Sequence, residues 1–477
     1  MPTDPRGLRA DAPLLDAWLH FHERTLTPFT IPGHKYDLNL LGDVVANDVP
    51  LYGGLGSVKD AAHLLADAEA RAAELWGADT CRFSVGGSTQ GNLALALAVA
   101  VPGRRVIVGR TLHRSLLVGL VLAGLEPVWV RPEVDPGRGV PLGVAPAALE
   151  EAFARAPDAA AVLVGDPSYV GTPGDVAALA EVAHRHGAPL VVDAAWAAYF
   201  GFHPHLPPHA LAAGADALVT SAHKTLPAWS QGALVLARTT RIDAARLDAA
   251  FDVAHTTSPS GTILASIDAS RALLAREGAE LLGPILTGVG RLRERLATIE
   301  GLVVLDGPGV DPLKLTLVLS GTGVDGNALE TDLIAAGSPL EMADRDTLVP
   351  IVSLADTAAS LTRLGDLLAE LVERHRGDPR PVVGAAAWTL EPELVLPPRE
   401  AFFAAREPVP LAAALGRVSA ELVAPYPPGV PVLAPGERVT EAVLDALAAA
   451  HRSGVRIAYA ADPTLSTVLV VTRPAAG

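Results

Sequence analysis

Between residues 62 and 240, short Val-rich apolar runs alternate with stretches of helical periodicity, and this alternation leaves few folds open to the chain. The strand-like runs are Arg105–Val108, Val128–Arg131, Ala161–Gly165, Leu190–Ala194, Ala217–Ser221 and Ala233–Ala237. Helical stretches Ala62–Trp76, Leu93–Val101, Ser115–Ala123, Ala145–Ala156 and Asp175–His186 separate or flank most of them. The runs are continuously apolar rather than alternating, as strands buried on both faces of a parallel sheet are. Strand–helix alternation of this kind predicts a doubly wound α/β domain. The Gly/Ser-rich segment Ser84–Asn92 reads as a turn ahead of a helix.

Outside that block the patterning changes. Residues 1–60 are rich in Pro and Gly, with few periodic segments, and read as an N-terminal arm. Helices run through roughly 262–298. A smaller α+β segment follows, with strands at Leu302–Leu305 and Leu315–Leu319 and helices at Asn327–Ala336 and Thr357–His375. The Pro-rich stretch Arg376–Pro398 reads as a linker. The 477 residues exceed what a single core usually serves. The expected organisation is an arm at 1–60, a major domain at 61–299, a small α+β domain at 300–377, a linker at 378–398 and a C-terminal module at 399–477.

Composition narrows the partners. A formal net charge of −16 disfavours nucleic acid and anionic membranes and suits a cationic small molecule. The longest apolar runs, Leu93–Pro102 and Leu116–Leu125, are about half the length of a membrane-spanning helix. Met1–Pro13 has no apolar core of a secretory signal, and a cytoplasmic location is expected. Cys81 is the one cysteine, so neither an intrachain disulfide nor a cysteine-based metal site can form, and no metal is expected. Of 37 basic residues the lysines are Lys35, Lys59, Lys224 and Lys314. A lysine kept where arginine otherwise serves points to a task that needs a primary amine, such as imine formation.

Polar clusters collect just after the strand-like runs, where ligands of α/β sheets bind. Ser221-Ala222-His223-Lys224-Thr225 follows one run. Desolvation there favours the neutral amine of Lys224, and His223 beside it can donate to a phosphate or carry a proton. The same lysine also reads as a surface residue on a loop. Asp193 ends another run. A carboxylate at that point can hold a pyridine nitrogen protonated, or it can cap the following helix. Gly86-Gly87-Ser88-Thr89-Gln90-Gly91-Asn92 precedes a helix and has the make-up of an anion cradle, although Gly/Ser helix starts are common. The imidazole of His113, in His113-Arg114-Ser115, can stack on a planar ring or remain a solvated residue at a helix start. Ser168, in Asp166-Pro167-Ser168-Tyr169, can reach a ring hydroxyl or serve a plain β-turn.

Taken in order, these motifs resemble the Orn/Lys/Arg decarboxylases of the aspartate-aminotransferase fold, and the resemblance covers nearly the whole chain. It begins at Pro28-Phe29-Thr30-Ile31-Pro32-Gly33-His34-Lys35. It continues through Gly86–Asn92, His113-Arg114-Ser115, Asp166–Tyr169, Asp193–Tyr199, Ser221–Pro227 and Thr256-Thr257-Ser258-Pro259-Ser260. In the C-terminal module it includes Val409-Pro410-Leu411, Gly416-Arg417, Ala420-Glu421, Pro425-Tyr426-Pro427-Pro428-Gly429-Val430-Pro431 and Pro435-Gly436-Glu437.

The resemblance implies an α/β, PLP-dependent transferase fold: an aspartate-aminotransferase-like major domain with a mostly parallel sheet, a small α+β domain and a C-terminal module. It implies pyridoxal 5′-phosphate held by Lys224 as a Schiff base. Asp193 would hold the pyridinium and His113 would stack on the ring. Ser88, Thr89, Ser221 and His223 would surround the phosphate; Ser168 is counted with them as cofactor-binding on the reading of its own segment. Lys224, His223 and Asp193 would be catalytic. The length matches a short form lacking a receiver-like N-terminal domain. The implied reaction is decarboxylation of a basic amino acid, arginine first and lysine or ornithine next, in polyamine biosynthesis. The implied assembly is a homodimer or a higher homo-oligomer. Glu341, Asp344 and Glu421 are candidates for a distal substrate cation, or ordinary carboxylates. Ala194-Ala195-Trp196 depart from the Glu, Ala and His common in short forms, and Arg114 replaces a more usual lysine. The segment between Asp306 and Pro339 is also shorter than in typical members. An aminotransferase or lyase on the same fold, or a catalytically altered homologue, stands as the alternative.

Overall fold

The computed structural model describes residues 3–24, 48, 62–381, 386–426, 431–452 and 456–472. The Pro28–Lys35 signature and Pro427–Val430 lie outside the described residues. The chain divides into two compact units. The first holds Met1–Ala98, Val192–Gly283 and Ser353–Ala355; the second holds Val99–Val191, Pro284–Val352 and Asp356–Gly477.

In the first unit, β1 (Thr80–Ser84), β9 (Ala233–Ala237), β8 (Ala217–Ser221) and the end of β7 (Leu190–Asp193) lie in that order. Every residue of β8 and β9 is buried, as their continuous apolar runs require. β9 is antiparallel to both neighbours, with Cys81 opposite Leu236 and Val219 opposite Val235. Sequence patterning did not reveal β1, because its middle residue is charged. Arg82 leaves the sheet edge to pair with Asp248 and Asp252, each at 2.8 Å. The segment read as a turn at Ser84–Asn92 is already helical from Gly87, in a helix running to Val99. Gly91 lets that helix lie on the sheet: a Cβ there would stand 2.5 Å from Val219 and 2.8 Å from Val235.

The N-terminal arm also holds more structure than its composition suggests. Helix Pro13–Arg24 buries Leu14, Leu19 and Phe21. Its start is fixed by the buried carboxylate of Asp268, which accepts from the Leu14 N–H at 3.0 Å. Asp268 pairs in turn with Arg271, whose guanidinium donates to the Asp11 carbonyl.

In the second unit, β6 (Val162–Gly165), β2 (Arg105–Gly109) and β3 (Glu126–Val130) lie in that order, and β2 is parallel to both others. The parallel expectation therefore holds for β2, β3 and β6, while β1 and β9 add antiparallel pairing. Two short strands, β4 (Val134–Asp135) and β5 (Val140–Pro141), form a hairpin beyond β3. Residues 303–349 make a separate four-stranded sheet with helix Gly326–Ala335, and helix Ala358–Arg374 starts on a Thr357/Ser360 capping box. The C-terminal residues have their own core, built on Val423, Leu433, Val439, Leu447, Val468 and Val470. One helix, Gly261–Leu296, covers most of the predicted helical stretch, and the division between the units falls at its internal Pro284.

Candidate active site

The first unit holds six of the eight residues singled out as catalytic or cofactor-binding. Asp193 ends β7 and is 7% exposed. Its carboxylate accepts from the Asn92 amide at 2.6 Å and from the Ala195 N–H at 3.2 Å. Asn92 is itself buried in the helix that begins at Gly87. These donors fix the direction of the carboxylate. Ser88, in the first turn of that helix, and Ser221, the last residue of β8, are both buried and share a hydrogen bond of 2.6 Å. Gly87 supplies a left-handed φ of +69° at the helix start, and its N–H donates to the Gln231 carbonyl at 2.7 Å. Thr89 lies in the same turn and is exposed.

Lys224 stands in the short helix Ala222–Thr225 directly after β8 and is half-buried. Its Nζ lies 4.0 Å from the centre of the Trp196 ring, a cation–π distance. His223 Nδ1 lies 2.8 Å from the Gly232 carbonyl. A carbonyl oxygen only accepts, so Nδ1 carries the ring proton.

A phosphate-bearing aromatic aldehyde fits this arrangement. The cradle offers two buried hydroxyls at a helix N-terminus, where the helix dipole favours an anion. The buried hydroxyl of Thr225, next to Lys224, and the buried Nε2 of Gln90 have no hydrogen-bond partner among the described residues. Orphaned buried donors of this sort cost stability unless a ligand satisfies them. Lys224 would hold the aldehyde and Asp193 the ring nitrogen.

The remaining candidates belong to the second unit. His113 is exposed and caps helix Arg114–Ala123, with Nδ1 accepting from the Ser115 N–H at 3.2 Å. Ser168 is buried and shares a hydrogen bond of 2.5 Å with Thr172. Burial pushes the neighbouring Asp166 carboxyl up to about 7, although the Gly174 N–H donates to it at 2.6 Å.

Of the three carboxylates considered for a distal cation, two are taken up by backbone. Glu421 accepts from the Ala461 N–H at 2.6 Å and the Leu469 N–H at 2.5 Å. Asp344 accepts from Asp346 and Thr347 N–H groups, and burial raises it to about 6. Glu341 is exposed, with the Tyr169 hydroxyl 3.4 Å away.

Sequence reasoning passed over Asn92, Thr225 and Gln90 as single residues. Asn92 had a signal: it is a polar side chain at the head of the apolar run Leu93–Val99. Trp196 stood out only as a departure from the short-form pattern.

Comparisons with known proteins bear on the family and the fold. The family model for the Orn/Lys/Arg decarboxylase major domain matches residues 12–320, and the model for the C-terminal domain of the same decarboxylases matches residues 383–457. An arginine decarboxylase of Halalkalibacterium halodurans is 32% identical, over 93% of this chain and 94% of its own. An arginine decarboxylase of Bacillus subtilis is 30% identical, over 97% and 98%. The solved structure of lysine decarboxylase A from Pseudomonas aeruginosa superposes with a TM-score of 0.81 at 21% identity, covering 97% of this chain and 80% of that one. That likeness shows a shared fold and bears out the α/β expectation.

Proposed function

We propose, from the premise that this chain belongs to the Orn/Lys/Arg decarboxylase family, that it removes the α-carboxylate of arginine, ahead of lysine and ornithine, with pyridoxal 5′-phosphate as cofactor. The observation that carries this reading is the grouping of Lys224, Asp193–Asn92 and the Ser88/Ser221 hydroxyl pair within one compact unit. The names of the full-length relatives support arginine as substrate.

Bound at this place, the cofactor supplies the electron sink for the pair released when the bond to the carboxylate breaks. The protein supplies position and charge. Asp193, oriented by Asn92, holds a proton on the ring nitrogen. Ser88, Ser221 and the helix N-terminus bind the phosphate, with Thr225 and Gln90 offering the further donors and Thr89 and His223 lying beside them. Lys224 would hold the cofactor aldehyde through its primary amine and would carry the proton delivered to Cα, with His223 Nε2 as the other group able to carry it. His113 keeps the role at the ring face that the family resemblance gives it, and Ser168 the role at the ring hydroxyl that its segment suggests. The reading extends to polyamine synthesis in the cytoplasm by a homodimer or larger homo-oligomer. Among the described residues no helix is long and apolar enough to cross a membrane.

The test is a visible spectrum of the purified protein, then arginine, lysine and ornithine added separately with detection of CO₂ and amine. A Schiff-base band with CO₂ and the amine of arginine is the expected result. A band with a keto acid instead would turn the assignment to an aminotransferase, and the absence of any band would overturn the cofactor.

A further inference from the structure

The turn that carries His113 is gripped from three sides by residues far away in sequence. Before the turn, Arg110 forms a bidentate pair with Glu437, Nη1 to Oε1 at 2.5 Å and Nη2 to Oε2 at 2.8 Å. Both side chains are almost fully buried, at 4% and 2% exposure. The Arg110 guanidinium also lies 4.7 Å from the Trp129 ring centre, and the Ala434 N–H donates to Glu437 Oε2 at 2.8 Å. Immediately after His113, the Arg114 guanidinium lies 4.6 Å from the centre of the Tyr459 ring. At the far end of the same helix, Arg399 donates to the carbonyls of Val121 and Leu122 at 3.2 and 2.7 Å.

Tyr459 makes its contact at a cost. Its φ is +68°, the left-handed region, which a bulky residue seldom occupies. Strain of this kind persists where the surroundings enforce it and often marks a functional position. The Arg114 replacement gains a reason as well: a planar guanidinium stacks on an aromatic face better than an ammonium does.

We propose that the C-terminal module is a clamp on the turn that carries His113, with Glu437 and Tyr459 as positioning residues that hold Arg110 and Arg114 on either side of it. The clamp itself lies within the second unit. Its consequence for cofactor binding rests on the function proposed above, through His113.

Hydrogen exchange of the full-length protein tests the clamp without reference to the cofactor. The reporters are the amides of Leu112, Ser115 and Leu116, which bond to Gly109, His113 Nδ1 and the His113 carbonyl. Tyr459→Leu should speed their exchange about fivefold, as loss of a cation–π contact implies, and Tyr459→Phe should restore the parent rate. Tyr459→Gly, which relaxes the left-handed backbone but lacks the ring, should exchange as fast as Tyr459→Leu while melting no lower than it. Glu437→Gln should raise the same amides. Unchanged exchange in both Tyr459→Leu and Glu437→Gln would overturn the clamp. On the holoprotein, Tyr459→Leu should weaken pyridoxal phosphate binding about fivefold and alter the visible circular dichroism of the bound cofactor. Faster exchange with unaltered affinity and dichroism would overturn the link to the cofactor. A parent protein that binds no pyridoxal phosphate would sink the proposed function, while exchange would still decide the clamp.

Discussion

The two units handle their polar residues in opposite ways. In the first, Asp193 and Ser221 end strands, Lys224 stands in the short helix that follows β8, and Ser88 and Asn92 sit in the first turns of one helix. Each is placed by the element that carries it, and the partners meet because helix Gly87–Val99 lies on β8 and β9 at Gly91. In the second, His113 is placed by Arg110, Arg114 and residues more than three hundred positions away. The first arrangement needs the correct sheet. The second also needs a separate core, built around Val423 and Leu447, to form and to meet the first part of its own unit. A motif can therefore be complete in sequence while the geometry of one of its members is decided elsewhere.

This contrast can be broken at either end. Lys224→Ala removes the primary amine on which the proposed chemistry depends. Turnover should fall by about 10⁴-fold or more with loss of the Schiff-base band, and the fold should remain. Retained turnover and band together would remove the lysine from the mechanism. Glu437→Ala leaves the Arg110 guanidinium buried without its carboxylate, and should cost about 3–5 kcal/mol of stability, read in chemical unfolding. A loss below about 1 kcal/mol would show that the brace is not structural in weight.

Asn92→Ala should act in the other unit and on a smaller scale. Removing one donor from a buried carboxylate should cost about 1–3 kcal/mol, seen in cofactor affinity, with little change in the exchange of the His113 turn. A loosened His113 turn in this variant would mean that the two regions are not independent.

Asp166 gives the smallest effect, through pH. Its folded carboxyl is raised to about 7 by burial, above an unfolded value of about 4. The folded state therefore holds a proton that the unfolded state releases. That contribution to stability is fully present below about pH 4 and is lost as pH rises through about 7. Asp166→Asn should flatten this fall, and melting temperatures measured from pH 4 to 8 should converge at the acid end. Parallel curves for parent and variant would show that the carboxyl is not raised.

The α/β character and the strand ends were legible in the sequence, as was the placing of Lys224, Asp193, Ser88 and Ser221 at or near strand ends and a helix start. Continuous Val-rich runs can be satisfied only by burial on both faces, and glycine, serine, aspartate and lysine at strand ends have few uses there apart from turns and ligands. β1 was hidden because Arg82 breaks its apolar pattern, and the charge is tolerated because Glu69, Asp248 and Asp252 meet it at the sheet edge. The N-terminal helix Pro13–Arg24 was hidden because its anchor, Asp268, lies on another helix. Glu421 looked available for a substrate cation until the backbone N–H groups of Ala461 and Leu469 occupied both of its oxygens.

Local periodicity and residue chemistry by themselves thus determined the fold class and pointed to the groups proposed to hold a cofactor, because those depend on neighbours within a turn or a strand, while the ordered set of motifs carried the resemblance to the family. Tertiary structure decided which carboxylates are spent on backbone, what orients Asp193, and what grips the turn of His113. Those outcomes depend on burial and on pairs distant in the chain, and a hydrogen bond between residues hundreds of positions apart leaves no period in the sequence.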